Sequence, residues 1–530
     1  MKKSSKAERK LQPKAEKAQR VELSLSLLQD KANDILNSTS LDTKAIQTLV
    51  DLLKLTDNEQ LHVQASDVIL VLEVIFKNLL KRNAMHVPLK NEEHKAKNKH
   101  AKCLSLYNEL WAHLLNFMTD TDSKAAAEMS LKVAMQLLAV EAKHPISPTP
   151  KSKKNDVWPL NRLHSILYTI VNAEHTQIAP TLKHFEKYAR CLDVLQNLLQ
   201  ILPQLAPEKS TDEIADKVLN YLAIVNLLDM GKSVLNDQQY HVKSSEFEFD
   251  YEKGRQDLNL IWQSILKIAS FTGLDNEKIH RQVLVVLLER ILPHLEDPIQ
   301  LTDFLMDSLH QFDGAIALLA LQGIFSLMQK QNITYPDVYE KLYNMFYPRM
   351  FFNKFKARLF YLADIFLTST HLPENLVAAF VKRLARLSLS AAPEDALIMI
   401  RFVCNLLLRH TGLQRLIRAT PAEANEAIVD PYDINETNPI KSKALESSLW
   451  EMVLLQKHAV PEVAQAARFV SQSSLPVMEF DLGPLLERKT CDLFDDEVKQ
   501  QAKQFMLHYD RPSNFALPKQ DIVTKYWDFI

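Results

Sequence analysis

A few places in the chain carry residue types that could do chemistry. Gly231-Lys232-Ser233 imitates the end of a phosphate-binding loop, in which backbone N–H groups and the lysine hold a phosphate. Such a loop needs a glycine-rich turn after a strand; Asn226 stands five residues before Gly231, and Tyr221 to Met230 has helical spacing. His94 and His100 could suggest a metal, but they lie six apart with no acidic or thiol partner one helical turn away, and Lys81 to Lys102 reads as a solvated basic loop facing RNA at most. Asp495 and Asp496 adjoin, yet on a helix they point about 100° apart and cannot share a proton. Neither G-x-S-x-G nor H-E-x-x-H occurs, and no cysteine has a recognisable histidine partner. No catalytic residue, cofactor, metal site or small-molecule substrate is expected.

Charge is the remaining chemistry, and it is sorted along the chain. Arg349 to Arg418 holds eleven Lys or Arg against four Asp or Glu, whereas Pro421 to Glu451 holds seven acidic residues against two lysines. Two segments of opposite sign can clasp each other, or one can face RNA phosphate while the other faces a basic protein. The candidate RNA- or partner-binding patch is Lys354, Lys356, Arg358, Lys382, Arg383 and Arg386; the candidate acidic partner loop is Asp430, Asp433 and Glu436. Phe351, Phe352 and Phe355 are expected in the core rather than as platforms for bases.

The elements that position these charges are helices. Leu376, Val377, Phe380, Val381, Leu384, Leu387 and Leu389 follow the rhythm of one apolar stripe, which puts Lys382, Arg383 and Arg386 on the other side. Pro373 precedes this helix and Pro393 opens the next, because proline fits a first turn but not an interior. Ala315 to Met328 reads as a core helix, and Val21 to Leu55 and Val63 to Lys81 as the first helices, with Val68, Leu72, Ile75 and Leu79 on one stripe. The block from Phe312 to His410 is thus a stack of short antiparallel helices.

Composition carries this to the whole chain. Only seven of 530 residues are glycine, where average usage would give roughly 37, so tight turns and glycine-lined phosphate sites are scarce. Leucine, alanine, lysine and glutamine, all helix formers, fill the space. The fold expected is all-α, a degenerate HEAT- or armadillo-like helical-repeat solenoid with a disordered basic N-terminal arm. Cores stop growing near 250 to 300 residues, which favours stacking over a single globule. The boundaries expected are an arm at 1–20, helical repeats at 21–142, a linker at 143–157, further repeats at 158–302 with a loop near 237–255, a C-terminal domain at 303–467 and a tail at 468–530.

The arm, Met1 to Arg20, has eight Lys or Arg against two Glu and suits nuclear import or loose phosphate contact; it is no secretory signal. The linker carries Ser147-Pro148 and Thr149-Pro150, which a kinase could modify. In SEFEFDYEKG acidic residues alternate with Phe247, Phe249 and Tyr251, the pattern of a loop that docks its aromatics on a partner or on its own core. Cys103, Cys191, Cys404 and Cys491 lie far apart near apolar neighbours, as buried thiols of a reducing compartment do. No apolar run reaches the roughly 20 residues that span a bilayer, so no membrane contact is expected. The aromatic residues near the end, Phe515, Tyr526, Trp527 and Phe529, are expected to pack back on the scaffold.

FKARLFYLADIFLTSTHLPENLVAAFVKRLARL at Phe355 to Leu387 resembles the shared domain of the CCAAT-binding-factor family, the nucleolar complex proteins. DPYDINETNPIKSKALESSLWEMVLLQKHAVPEVAQAA at Asp430 to Ala467 is similar to that family's acidic loop and the helix after it. The resemblance implies a non-catalytic assembly factor of the small (40S) ribosomal subunit, located in the nucleus and nucleolus, within the processome that matures 18S rRNA. It also implies a heterodimer with a partner of the nucleolar protein 14 type, contacted through the segment from Phe312 to Ala467, together with other pre-ribosomal proteins and pre-rRNA. Two rival classes are a helical-repeat nuclear transport adaptor, which would show more regular helix pairs and a strongly acidic chain, and a transcription cofactor, which the family's historical name suggests. The net charge of −2 argues against the first; nucleolar localisation separates the second.

Overall fold

The computed structural model describes residues 33–35, 43–55, 62–85, 94–119, 124–146, 158–207, 214–242, 247–272, 277–295, 297–331, 335–418, 430–472 and 474–504. Every regular element among them is helical, so the all-α expectation holds. The arm at 1–20, Ser147, Thr149 and the tail from Asp510 lie outside the described residues. The chain divides into two compact units, Met1–Asp303 and Phe304–Ile530.

In the first unit, α1 (Thr43–Leu55), α2 (His62–Lys81), α3 (His94–Met118), α4 (Lys124–Lys143), α5 (Leu160–Asn172), α6 (His175–Ala189), α7 (Leu192–Ile201), α8 (Ile214–Leu227), α9 (Lys232–Asp237), α10 (Tyr251–Thr272) and α11 (Glu277–Val286) succeed one another. Most pack on a helix two places along: α1 on α3, α2 on α4, α3 on α5, α4 on α6 and α6 on α8. This is how amphipathic helices in series bury their stripes, each covering its neighbours'. Val68, Leu72, Ile75 and Leu79 of α2 are all buried, as their spacing predicts.

Several local expectations are corrected here. The basic stretch after Lys81 is a helix from His94 onward, because Cys103, Leu106, Leu110 and Leu114, all buried, sustain a helical stripe behind the lysines; His100 bonds the Ala84 carbonyl. The helix expected to run through Met230 ends at Leu227, and Lys232 and Ser233 begin the six-residue α9 after Gly231. The loop near 237–255 closes at Tyr251, where α10 starts. Phe247 and Phe249, both half-buried, turn back onto their own unit, whereas Tyr251 is exposed. Phe247 meets Tyr240 edge-on at 6.0 Å, and Phe249 lies so close to Gly254 that a Cβ there would meet Phe249 Cζ at 3.3 Å and Leu199 Cδ1 at 3.4 Å. Asp193, almost wholly buried, fixes the first part of this loop by accepting from the N–H groups of His241 (3.0 Å) and Val242 (2.7 Å).

The second unit contains α12 (Thr302–Gln311, which begins at the boundary), α13 (Gly314–Gln331), α14 (Pro336–Asn344), α15 (Lys356–Phe366), α16 (Glu374–Ser388), α17 (Pro393–Arg409), α18 (Trp450–Leu455), α19 (Pro461–Ala467), α20 (Gly483–Glu487) and α21 (Thr490–Gln504), with short 3₁₀ turns at Pro348–Phe352, Thr411–Leu416, Pro439–Lys441 and Ala444–Glu446. Prolines open α14, α17 and α19, where the missing N–H has no intrahelical role. At its centre α16 packs on α17, and an aromatic series ties them to α15 and to the turn after α14. Phe402 meets Phe360 (6.1 Å), Phe360 meets Phe346 (5.7 Å), Phe346 meets Phe380 (6.2 Å) and Phe380 meets Tyr343 (5.4 Å), each near the edge-to-face geometry that aromatic quadrupoles prefer. Leu384 is fully buried and α13 is a core helix, as its sequence implies.

Two single-residue expectations fail. Phe352 is 90% exposed: the Pro348–Phe352 turn sends Met350 inward and leaves Phe352 outside. Of the cysteines, Cys103 and Cys404 are buried, Cys191 is half-buried and Cys491 is exposed on α21. No helix among the described residues is long and apolar enough to cross a membrane.

Candidate functional site

A cluster of buried charge in the second unit lies between α16, the segment 430–449 and the start of α18. Lys382 stands off the apolar stripe of α16 and has no exposed surface. Its ammonium donates to the Ser448 carbonyl at 2.6 Å and lies 3.0 Å from Asp430 Oδ2 and 2.7 Å from Glu451 Oε1. Three acceptors surround a group with three donors. One turn later, Arg386 reaches the same two carboxylates, with Nη2 2.6 Å from Asp430 and Nε 2.8 Å from Glu451. Its guanidinium stacks 4.5 Å from the centre of the Trp450 ring. Arg383 spans the neighbouring edge, donating to the carbonyls of Phe346 (2.7 Å) and Ile434 (3.2 Å) and lying 4.3 Å over Tyr343.

Two cations and two carboxylates thus form a neutral cluster, and its electrostatics follow from burial. Burial alone would raise the Asp430 carboxyl, but hydrogen bonds from Ser447 (2.5 Å), Trp450 Nε1 (2.8 Å), Lys382 and the Tyr432 N–H (3.2 Å) outweigh it and hold the group well below the usual carboxylate range. Glu451, with no exposed surface, is pushed upward by burial, and Lys382 and Arg386 only partly oppose this. One oxygen, Oε1, faces both cations, 2.7 Å from Lys382 Nζ and 2.8 Å from Arg386 Nε.

The open basic patch expected at Lys382, Arg383 and Arg386 is therefore corrected. These side chains leave the apolar stripe as predicted, but a second layer of chain covers that face and uses their charge internally. Of the acidic residues, only Asp430 enters the clasp. Asp433 is exposed and accepts from the Asn435 N–H at 2.9 Å, while Glu436 accepts from the Asn438 N–H at 3.1 Å, each stabilising its own turn. Asn344 donates to the Thr437 carbonyl (3.0 Å) and the hydroxyls of Tyr343 and Tyr432 are hydrogen-bonded at 2.8 Å, so the segment is docked along its length. At the other basic positions, Lys356 pairs with the buried Asp395 at 2.6 Å, Arg358 is exposed and bonds Gln322, and Lys354 is exposed without an ion pair among the described residues.

Sequence reasoning did not single out Glu451 and Trp450, although both stand in the acidic segment it marked. It also missed a second fork: Arg409 at the end of α17 joins Asp364 (2.7 Å) to Glu479 (2.6 Å), and Asn405 exchanges two 2.8 Å hydrogen bonds with the backbone of Phe480. Nothing local marks either pairing, since the partners are some 45 to 75 positions apart. Among the described residues, no group of three or more His, Cys, Asp and Glu side chains is arranged to hold a metal ion. The charged residues here hold chain to chain.

The second unit is thus an all-helical unit closed by an internal acid–base clasp. Residues 317–467 match the CBF/Mak21 family, a range that contains α16, α17 and every member of the clasp. Across more of the chain, the nucleolar complex protein 4 homolog of Gallus gallus is 31% identical over 439 residues, covering 81% of this chain and 83% of that protein. Homolog B of Xenopus laevis is 32% identical, covering 80% of each, and nucleolar complex protein 4 of Saccharomyces cerevisiae is 29% identical, covering 81% and 82%. The chain belongs to the nucleolar complex protein 4 family.

Proposed function

We propose that the chain is a non-catalytic ribosome-biogenesis factor of the nucleolus, a scaffold in small-subunit assembly and 18S rRNA maturation that pairs with a partner of the nucleolar protein 14 type. The observation that carries this is likeness to nucleolar complex protein 4 relatives over about four-fifths of both chains. The small-subunit and partner assignments draw their support from the resemblance of the segments at Phe355 to Leu387 and Asp430 to Ala467. A non-catalytic role is supported by the use of the site's shifted carboxylates, Asp430 and Glu451, as internal ion-pair partners rather than as groups open to a substrate.

Within this reading, pre-rRNA contact belongs to the exposed surface around the Pro348–Phe352 turn and the start of α15. Arg349, Lys354 and Arg358 are exposed there beside Phe352 and Tyr361, the latter 63% exposed. Cations beside solvent-facing rings suit single-stranded RNA, which offers phosphates and unstacked bases. The test is depletion of the protein followed by pre-rRNA analysis. Precursors of 18S rRNA are expected to accumulate while large-subunit rRNA is spared, with the protein in nucleoli. A selective large-subunit defect, or exclusion from nucleoli, overturns the reading.

A further inference from the structure

Beside the clasp, the segment 445–450 and the Thr411–Leu416 turn enclose a groove of about 920 Å³. Its wall is apolar along one side, where Trp450 and Val453 of α18 and Val470 line it. Trp450 is 37% exposed and Val453 50%, and Leu454 beside them is 53% exposed. Residues 450, 453 and 454 fall at i, i+3 and i+4, so one face of a helix presents them together. The groove is also lined by Arg415 and Arg418, both exposed and without an ion pair among the described residues. Asp430 also reaches the groove, but its charge is held by Lys382 and Arg386; Glu446 is the one carboxylate on the rim without an ion pair among the described residues.

We infer that this groove receives an acidic amphipathic helix from a protein partner, its apolar side chains against Trp450 and Val453 and its carboxylates on Arg415 and Arg418. The inference rests on the scaffold reading above and adds the surface and the chemistry by which a protein is held. An apolar strip beside two such guanidinium groups matches a helix with leucine-like residues at i, i+3, i+4 and i+7 and acids on its flank. RNA fits less well, since a phosphate backbone favours a run of cations and this groove offers two beside an apolar strip.

The test uses the full chain and a fluorescent synthetic helix of about 18 residues, leucines on one face and glutamates on its flanks, with a lysine-for-glutamate counterpart as control. The acidic helix is expected to bind and the basic one not. Arg415→Glu with Arg418→Glu should weaken binding roughly tenfold or more, and Glu446→Gln should strengthen it a few-fold. Val453→Asp should abolish it, with thermal stability unchanged in every variant because these positions are exposed. Equal binding of both helices, no binding of the acidic one, or displacement of it by single-stranded RNA in a manner abolished by the arginine variants overturns the inference. So does binding that arises only when residues 419–429, which join Arg418 to Asp430, are replaced by a glycine–serine linker, for the chain would then be its own occupant. Co-sedimentation with pre-ribosomes is measured in parallel: its absence in the unsubstituted protein strikes the scaffold reading and leaves the groove result standing.

Discussion

Lys382 and Lys354 belong to the same unit and carry the same charge, but one has no exposed surface and the other lies open to solvent. The difference is what covers each. A second layer of chain, running from Asp430 to Glu451, lies over the polar face of α16 and supplies two carboxylates and a carbonyl to a single ammonium. No such layer covers Lys354, and its neighbours Arg349 and Arg358 are exposed as well. One basic surface therefore holds the fold together, and the other is available to a partner.

The comparison breaks most sharply at Lys382. Lys382→Ala leaves Asp430 and Glu451 with one cation between them, and an uncompensated buried charge costs about 3–5 kcal/mol. Chemical denaturation should show a drop of that size, with the transition of the second unit affected. Because a neutral pair can replace a buried ion pair at little cost, Lys382→Met combined with Glu451→Gln, which removes one charge of each sign and leaves Arg386 paired with Asp430, should recover most of it. If Lys382→Ala melts like the unsubstituted chain, the segment 430–449 does not depend on this ammonium.

Acid should act on the same cluster in a smaller way. Asp430 is held below its ordinary value, so its contribution is fully present above the unfolded carboxylate pKa of about 3.9 and is lost as pH falls toward the lowered folded value. Glu451, raised by burial, works in the opposite sense, since protonation relieves part of its desolvation cost. Stability measured from pH 5 downward should therefore fall less steeply in Asp430→Asn than in the unsubstituted chain, and more steeply in Glu451→Gln. Identical slopes in all three would remove both carboxylates from the acid response.

Much of the architecture was legible because helix periodicity and proline placement are local signals: the stripe of α16, the start of α17 at Pro393 and the core helix α13 all follow from spacing a few residues long. The facing of Lys382 was not, for a physical reason. A stripe identifies the first buried face of a helix, whereas α16 has two, and the second is buried by carboxylates contributed from Asp430 and Glu451, far along the chain. The opposite signs of the two segments were visible, and an internal clasp was one of their two readings. Phe352 failed in the reverse sense: its hydrophobicity argued for the core, but the three-residue rhythm of the turn points Met350 inward and leaves Phe352 out.

At the open surface the expected stability change is the smallest and the binding change the most specific. Lys354→Glu with Arg358→Glu alters exposed groups, one bonded only to Gln322, so unfolding should shift by no more than about 0.5 kcal/mol. If these cations meet phosphates, affinity for a short single-stranded RNA should fall, and the slope of log affinity against log salt should flatten by about 0.7 for each phosphate no longer neutralised. Phe352→Ala separates electrostatics from stacking. Removing a ring that holds a base weakens binding by about 1–3 kcal/mol without changing that salt slope. A variant set that leaves both affinity and slope untouched would make this surface as structural as the clasp, and the contrast between the two lysines would then concern solvent exposure alone.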